Sequence, residues 1–120
     1  MKKYNDFRDM LVWQKAFALL RYVYKIIKLF PPEEKYALTD DLRRSANSVV
    51  HNIAEGFGRF EAKDKTRFYK ISRGSSYEAM SQILVAEAEG YITSEKSEEL
   101  IIRYKDVVEE LSALIRSLEK

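Results

Sequence analysis

The sequence predicts an all-α protein, an antiparallel up-down-up-down four-helix bundle in which residues 1–120 form a single domain. A chain of 120 residues is long enough to bury one hydrophobic core. Only four glycines and two prolines interrupt it, which favours long helices over a β fold with many turns. Apolar residues recur every three or four positions along four segments, the spacing of a buried helix face. Because the connections between these segments are short, consecutive helices are expected to run antiparallel.

The first predicted helix covers residues 7–29 and is apolar over most of its circumference. Two apolar stripes run side by side along it: Trp13, Ala16, Phe17, Leu20, Tyr24 and Ile27, and beside them Val12, Leu19, Val23, Ile26 and Phe30. A helix that is apolar on more than one side is buried on more than one side. It is expected to end before Pro31-Pro32, since proline disfavours helical geometry at the preceding residue.

The second predicted helix starts at Thr39, whose side-chain oxygen can cap it. Asp40 and Asp41 then place negative charge at the positive end of the helix dipole. Its inward stripe is Leu42, Ala46, Val49, Ile53 and Phe57. Gly56 and Gly58 are expected to end it, because glycine readily adopts the left-handed conformation of a helix C-terminus.

Three polar residues of this helix, Ser45, Asn52 and Glu55, lie at positions where a plain surface helix would not need them, and they are assigned to a structural motif with Gly56 and Gly74. Glu55 lies in the last turn, where a carboxylate opposes the helix dipole. Arg59 and Arg67 are its nearest candidate partners. The interpretation is that Glu55 locks the connection between the second and third helices.

The third predicted helix covers residues 63–89 and the fourth covers residues 95–118. The third has one face made of Phe68, Ile71, Ser75, Ala79, Ile83 and Ala86, and the fourth has a stripe of Leu100, Tyr104, Val107, Leu111, Leu114 and Leu118. Gly74 lies in the middle of the third helix, where it costs about 1 kcal/mol relative to alanine. It is therefore expected to permit the close approach of another helix. Gly90 provides the stop between the two helices.

The composition favours neither an enzyme nor a metalloprotein. The chain has no cysteine, and His51 is its single histidine, so thiolate sites and the paired histidines of a di-iron bundle are excluded. No glycine-rich phosphate loop or nucleophile–base–acid set is evident. We expect no enzymatic activity, no metal, no cofactor and no small-molecule substrate. A site made only of carboxylates and arginines stays open.

The chain is expected to be cytoplasmic and to have no membrane partner. No apolar run approaches the roughly 20 residues that a membrane span needs. The N-terminal residues include two lysines, but no apolar segment follows them as in a secretory signal.

A second apolar surface, beyond the one that a small bundle needs for its core, predicts self-association. The residues assigned to this oligomer interface are Trp13, Phe17, Tyr77, Met80 and Leu84. Monomers rarely expose large contiguous apolar patches, and soluble proteins that carry one usually form closed homo-oligomers. The alternative is a thick core between helices that cross at large angles.

Seven cations around the connection between the second and third helices predict a basic ridge. They are Arg43, Arg44, Arg59, Lys63, Arg67, Lys70 and Arg73. In an antiparallel hairpin, Arg43 and Arg44 would be level with Arg73. A ridge of this kind is typical of a surface that binds nucleic-acid phosphates. The alternative is that nearby acidic residues neutralise these cations and that the protein is a protein-interaction adaptor, for example for a polymerase.

Several motifs of the chain resemble a bacterial family of four-helix bundles encoded in intervening sequences of 23S rRNA genes. The matching residues are Leu11-Val12-Trp13-Gln14-Lys15-Ala16, Phe30-Pro31, Glu34, Tyr36-Ala37-Leu38-Thr39, Leu42-Arg43-Arg44-Ser45, Asn52-Ile53-Ala54-Glu55-Gly56, Arg59, Arg67-Phe68, Gly74-Ser75 and Glu78. The chain departs from the family at Asp41, where glutamine is typical, and at Val49-Val50, where an apolar residue followed by proline is usual.

The resemblance implies a bundle that assembles into a ring, often a pentamer. It also implies kinship with the accessory variability determinants of diversity-generating retroelements, which are basic rings that bind nucleic acid and a reverse transcriptase. The partners expected from it are further copies of the chain, RNA or an RNA–DNA hybrid, and a protein partner. It assigns no catalytic residue.

Overall fold

The computed structural model describes residues 4–120, and every described element is helical. The α-helices are α1 (Leu11–Ile26), α2 (Leu38–Phe57), α3 (Ala62–Ala88) and α4 (Ser94–Leu118), and short 3-10 helices form at Phe7–Asp9, Ile27–Leu29 and Pro32–Glu34. The bundle is elongated, with principal extents of 44 × 25 × 20 Å. Since residues 4–120 contain four long helices and no strand, the all-α prediction is confirmed.

Each helix packs against two others, and α1 and α3 lie at diagonal corners of the bundle. Contacts between α2 and α3 join residues in reverse order along the chain: Ser45 with Gln82, Ser48 with Ser75 and Phe57 with Lys65. Arg73 of α3 contacts Ser112 of α4, and Lys15 of α1 contacts Asp106 and Glu110 of α4. At one end, where α1 stops and α3 connects to α4, the rings of Phe30 and Tyr91 lie 5.5 Å apart.

The core contains the predicted stripes of α2 and α4. Leu42, Val49 and Ile53 are fully buried, as are Tyr104 and Leu111. The Tyr104 hydroxyl is buried without a hydrogen-bond partner, and burial raises its pKa. The α4 stripe becomes only partly buried toward its end, at Leu114 and Leu118.

On α1, the second apolar stripe rather than the first supplies most of the core. Val12, Leu19 and Val23 are buried, whereas Phe17 and Tyr24 of the first stripe are 40% and 42% exposed. The two stripes cannot both be fully buried, because α1 packs against only two neighbouring helices. The nearly all-round apolar character of α1 therefore leaves large side chains at the surface.

The buried face of α3 differs from the prediction. Ile71, assigned to the inward face, is 42% exposed, while Ser72 and Ser76 are fully buried. The Ser72 hydroxyl donates to the carbonyl oxygen of Val49 at 2.7 Å, and the Ser76 hydroxyl donates to that of Ser72 at 3.0 Å. Hydroxyls that bond to the backbone are satisfied inside the core, so small serines lie where α2 and α3 meet. With the face rotated in this way, Met80 is 5% exposed and packs in the core of the protomer, so it is not part of the exposed apolar surface with which it was grouped.

The start of α2 also differs from the prediction. The helix begins at Leu38 without a side-chain cap from its N-cap residue, so Thr39 lies inside the first turn. Instead, the Glu34 carboxylate accepts a hydrogen bond from the Leu38 amide at 3.2 Å. The other Glu34 oxygen accepts one from the Tyr91 hydroxyl at 2.9 Å, which raises the pKa of Tyr91 to about 12. Glu34 thereby joins the start of α2 to the connection between α3 and α4.

Gly58 and Gly90 lie at helix ends as predicted, whereas Gly56 and Gly74 have roles other than those predicted. Gly58 ends α2 in a right-handed conformation, with φ −75°, and among the described residues only Gly90 has a positive φ. A Cβ on Gly56 would lie 2.6 Å from Cε1 of Tyr69, so Gly56 is the close-approach glycine of α2. A Cβ on Gly74 would meet nothing within 4 Å. The prediction that Gly74 permits close helix approach is therefore wrong within the protomer.

Candidate nucleic-acid interface

The connection between α2 and α3, residues 58–61, is termed the elbow. It is stabilised by Lys65, whose ammonium donates to the carbonyl oxygens of Phe57 at 2.9 Å and Gly56 at 3.3 Å. These carbonyls are among the last of α2 and have no partner within the helix. A positive charge here also complements the negative end of the α2 dipole. Our sequence analysis missed Lys65, although a lysine shortly after a predicted helix end is the signal for such a contact.

Two arginine side chains pack on one aromatic ring beside the elbow. The guanidinium carbons of Arg59 and Arg67 lie 4.6 Å and 4.5 Å from the centre of the Phe68 ring. Arg59 also donates to Glu55 at 2.9 Å, so it is Arg59, one of the two candidates, that pairs with Glu55. The Nε atom of Arg59 is buried and has no hydrogen-bond partner. Packing on Phe68 positions both guanidinium groups while leaving N–H donors for another ligand.

Three further features lie next to this arginine pair. Lys63 is exposed and has no ion-pair partner within residues 4–120. The Phe60 side chain is 97% exposed at the elbow itself. No side chain caps the start of α3 at Glu61, so backbone amides there are open to an anion. Glu61 and Asp64 place negative charge beside these groups, so the elbow is not uniformly positive.

Arg43 and Arg44 lie at the other end of α2 and are paired with acidic residues of the same helix. Arg43 donates to Asp40 at 2.8 Å, and Arg44 bonds to both Asp40 and Asp41. The hydrogen bond from Arg43 holds the pKa of the Asp40 carboxyl below its usual range, with the charge of Arg44 adding to the effect. Fifteen residues of helix separate Arg43 from Gly58, which corresponds to about 22 Å at about 1.5 Å per residue.

Lys70 and Arg73 face α4 rather than the elbow. Lys70 forms an ion pair with Glu119 at 2.6 Å. Arg73 donates to the Ser112 hydroxyl at 2.8 Å, and its guanidinium lies 5.4 Å from the centre of the Tyr77 ring. Both cations therefore have partners within the protomer.

The seven predicted cations do not form one continuous ridge. Ser48 of α2 contacts Ser75 of α3 at 2.8 Å, which places Arg73 level with residues near 50 of α2 and not with Arg43 and Arg44. The structure separates the set into a pair at the start of α2, a pair facing α4, and a cluster at the elbow. The cluster consists of Arg59, Lys63 and Arg67. We term these three residues the elbow cations.

The remaining polar residues of the predicted motif form the seam between α2 and α3. The Ser45 hydroxyl donates to the carbonyl oxygen of Asp41 at 2.8 Å and also bonds to Gln82. The Asn52 amide donates to the carbonyl oxygen of Ser48 at 2.9 Å and to its hydroxyl at 3.0 Å. The bond from Ser45 to Gln82 joins α2 to α3 and helps to fix their register, whereas both bonds of Asn52 lie within α2.

The residues expected at an oligomer interface, apart from Met80, form two separate apolar patches. The ring of Phe17 stacks on that of Trp13 with centroids 4.8 Å apart, and Phe17 is 40% exposed. Tyr77 and Leu84 are 49% and 53% exposed on α3. We term the pair on α1 the α1 patch and the pair on α3 the α3 patch. Because α1 and α3 lie at diagonal corners, the two patches lie on different sides of the bundle.

A further basic surface on α1 was missed by our sequence analysis. Residues 10–32 contain four cations and no aspartate or glutamate. Arg21, Lys25 and Lys28 are exposed, and within the described chain none of the three has an ion pair. The absence of any acidic residue over this stretch was the signal available in the sequence.

Two searches of the described residues concern other classes of site. Over residues 4–120, no group of three or more histidine, aspartate or glutamate side chains is placed to hold a metal ion. None of the helices described is both long and apolar enough to cross a membrane.

The fold and its surface define a small helical-bundle protein with exposed aromatic patches and clustered surface cations. Residues 8–113 match the family model described as 23S rRNA-intervening sequence protein, and the chain belongs to this family. A solved structure from Bacteroides thetaiotaomicron VPI-5482, described as a protein with unknown function from the S23 ribosomal protein family, has a TM-score of 0.81 and 20% sequence identity, covering 88% of this chain and 98% of that one. At this identity the likeness shows the fold alone. No curated protein matches the chain.

Proposed function

We propose that this protein is a non-enzymatic, cytoplasmic, oligomeric bundle that binds RNA or an RNA–DNA hybrid through phosphate contacts at the elbow. The observation that carries the proposal is the packing of Arg59 and Arg67 on Phe68, at 4.6 Å and 4.5 Å from the ring centre. Guanidinium groups held in this way retain donors suited to phosphate oxygens. The exposed Phe60 ring beside them is available for stacking on an unpaired base.

The assembly we propose is a ring of antiparallel up-down-up-down bundles. The reverse order of contacts between α2 and α3 supports the up-down arrangement. Two different apolar patches support a head-to-tail contact, in which the α1 patch of one copy packs on the α3 patch of the next. A head-to-tail contact closes into a ring when its rotation permits. A pentamer and kinship with the retroelement proteins are further parts of the proposal, which rest on the resemblance.

Mixing two single-patch variants tests the head-to-tail arrangement. Phe17→Glu blocks the α1 patch, and Leu84→Glu blocks the α3 patch, so each variant alone is expected to be monomeric by light scattering. In a mixture, each variant retains the patch that the other one lacks, and the expected product is a heterodimer. If the mixture stays monomeric although each variant folds, the two patches do not form one interface. A wild-type monomer would contradict self-association altogether.

The nucleic-acid proposal is tested with two matched double variants of α3. Lys63→Gln/Arg67→Gln and Lys70→Gln/Arg73→Gln each remove one lysine and one arginine, so the charge change is identical. The first pair removes two elbow cations, whereas Lys70 and Arg73 already have partners on α4. The readout is the affinity for 20-base-pair DNA, RNA and hybrid duplexes, measured by fluorescence anisotropy at several salt concentrations.

The elbow variant is expected to bind more weakly and to have a smaller salt dependence. For the DNA duplex, each lost phosphate contact lowers the slope of log affinity against log salt by about 0.9, so the slope should fall by about 2. The variant at Lys70 and Arg73 should retain most of the wild-type slope. Equal losses in both variants would mean that only net charge matters, which would contradict an elbow site.

A protein-interaction adaptor ring is the second candidate. The observation in its favour is that Arg43, Arg44, Lys70 and Arg73 all have partners within the protomer. Arg43, Arg44 and Lys70 are paired with carboxylates, and cations neutralised in this way contribute little to counterion release. If the wild type assembles but binds none of the three duplexes, the adaptor function is supported and the nucleic-acid function is refuted.

A further inference from the structure

The outward side of α1 carries positive charge and no acidic residue, and in this it differs from α4. Residues 10–32 contain Lys15, Arg21, Lys25 and Lys28 and no acidic residue. In contrast, α4 has acidic residues close to its outer cations along its whole length. A cation on α4 is therefore partly neutralised on its own helix, whereas a cation on α1 is not.

Three of the four cations in residues 10–32 form a strip along one side of α1 and of the 3-10 helix Ile27–Leu29 that continues it. Arg21, Lys25 and Lys28 are separated by four and three residues, which places them on neighbouring turns of the same face. At about 1.5 Å of rise per residue, the strip is about 10 Å long. The fourth cation, Lys15, instead forms ion pairs with Asp106 at 2.6 Å and with Glu110 on α4.

An acidic residue of α4 beside Tyr22 already has a cationic partner. Glu99 of α4 pairs with Arg103 at 3.9 Å. Burial, and after it the nearby Glu99 carboxylate, raise the pKa of Tyr22. Beside it, Ala18, Arg21, Tyr22 and Lys25 line a shallow depression of about 360 Å³. The small side chain of Ala18 leaves this space open between the two cations.

We infer that the strip of Arg21, Lys25 and Lys28 binds the phosphates of a nucleic-acid backbone. The inference rests on the proposed nucleic-acid binding and adds a second contact region to it. Three neighbouring cations without a counter-charge repel one another, and a polyanion relieves this repulsion while releasing its own counterions. In an assembly, the strip is repeated in every copy, so weak contacts add up.

The strip and the elbow are at different places on the protomer. The elbow joins α2 to α3, whereas Lys28 lies close to the opposite end of the bundle, where Phe30 packs on Tyr91. Variants of the two regions can therefore be tested independently. The strip could instead bind a second copy of the chain through the acidic start of α4, where Glu95 and Glu98 flank Ile102.

The test compares two triple variants with the same change of charge. Arg21→Gln/Lys25→Gln/Lys28→Gln removes the strip, and Lys96→Gln/Lys105→Gln/Arg116→Gln removes three exposed cations of α4. Binding of a labelled 20-base-pair DNA duplex is measured between 50 and 200 mM salt, together with the elbow variant described above. Circular dichroism and light scattering establish the fold and the subunit number of each variant.

If the strip contacts three phosphates, the slope of log affinity against log salt falls by about 2.7 in the strip variant. The wild type then loses roughly 40-fold more affinity than the strip variant between the two salt concentrations. The α4 variant should retain the wild-type slope.

Each contrary outcome identifies what failed. If the strip variant has the same slope of log affinity against log salt as the wild type, the inference is overturned. If the elbow variant has a reduced slope in the same experiment, the proposed function still stands. If the strip variant and the α4 variant lose equal affinity for the duplex, net charge alone determines binding and the inference is overturned. If the strip variant loses subunits at low salt while its slope per subunit is unchanged, the strip contacts a second copy and not nucleic acid. A wild type that binds no duplex refutes the inference and the proposed function together.

Discussion

Two glycine-to-alanine substitutions are expected to change stability in opposite directions, although their chemistry is identical. Both Gly56 and Gly74 lie inside long helices, where alanine is favoured over glycine by about 1 kcal/mol. At Gly74 the new methyl group would have nothing within 4 Å. Gly74→Ala is therefore expected to stabilise the fold by about 1 kcal/mol.

At Gly56 the same methyl group would collide with a buried ring. Its Cβ would lie 2.6 Å, 2.9 Å and 3.0 Å from three ring carbons of Tyr69, and Tyr69 is only 3% exposed. Overpacking in a core costs about 1–3 kcal/mol. Since the buried ring has little room to move, we take the upper part of this range. After the gain in helix propensity, Gly56→Ala should destabilise by about 1–2 kcal/mol.

Thermal unfolding followed by circular dichroism at one protein concentration measures this contrast. A fixed concentration is needed because self-association itself changes the midpoint. The two variants differ by about 2–3 kcal/mol, and at about 4 °C per kcal/mol their midpoints should lie about 8–12 °C apart. A Gly56→Ala protein that melts at or above the wild type would refute the reasoning. Tyr69→Leu should reduce the cost of Gly56→Ala, since residues in contact have coupled effects.

Three further predictions concern pH and charge. Burial raises the pKa of Tyr69 to about 12, and the hydrogen bond to Glu34 is the main cause that raises the pKa of Tyr91 to about 12, both from a usual 10.0. Because these phenols bind their protons more tightly in the folded state, their contribution to stability should be complete below pH 10 and should be lost between pH 10 and 12. Denaturant titrations at several pH values measure this, and a free energy of unfolding that does not change over this range would contradict it. Lys65→Met should lower the free energy of unfolding, measured in urea, by about 1–2 kcal/mol, because the Phe57 carbonyl loses its side-chain donor and the Gly56 carbonyl keeps only the Arg59 amide. Lys65→Arg should retain most of the wild-type stability. Lys15→Met should change the free energy of unfolding by less than about 1 kcal/mol, because the ion pairs of Lys15 are partly exposed.

The number of helices and the α2 and α4 faces could be predicted because each depends on local patterns. Large aliphatic residues at helical spacing, such as Leu42 with Val49 or Leu100 with Leu111, specify one face strongly. The face of α3 could not be found in this way, because its contact with α2 uses Ser72 and Ser76. Buried serines are recognisable only when their backbone acceptors are known, and those acceptors depend on the tertiary structure.

The candidate site was predictable only in part, for a similar reason. The sequence indicated which cations are near one another along α2 and α3, and it correctly placed Glu55 near Arg59. It could not establish that Glu119, near the end of the chain, lies against Lys70 on α3. Whether a cation is neutralised depends on contacts between distant parts of the chain, so a count of nearby charges overestimated the ridge.

The same consideration changes which cations matter for binding a polyanion. A cation with an acidic partner must break that contact, or share it, before it can bind a phosphate, whereas an unpaired cation only exchanges water and counterions. By this criterion Lys63 and the three residues of the α1 strip rank above Arg43, Arg44 and Lys70, although the latter group drew attention first. Arg43 and Arg44 at the start of α2 form ion pairs with Asp40 and Asp41, so they contribute to the stability of α2. Nucleic-acid binding, if mapped by single substitutions, should therefore follow the lack of a partner more closely than the local density of positive charge.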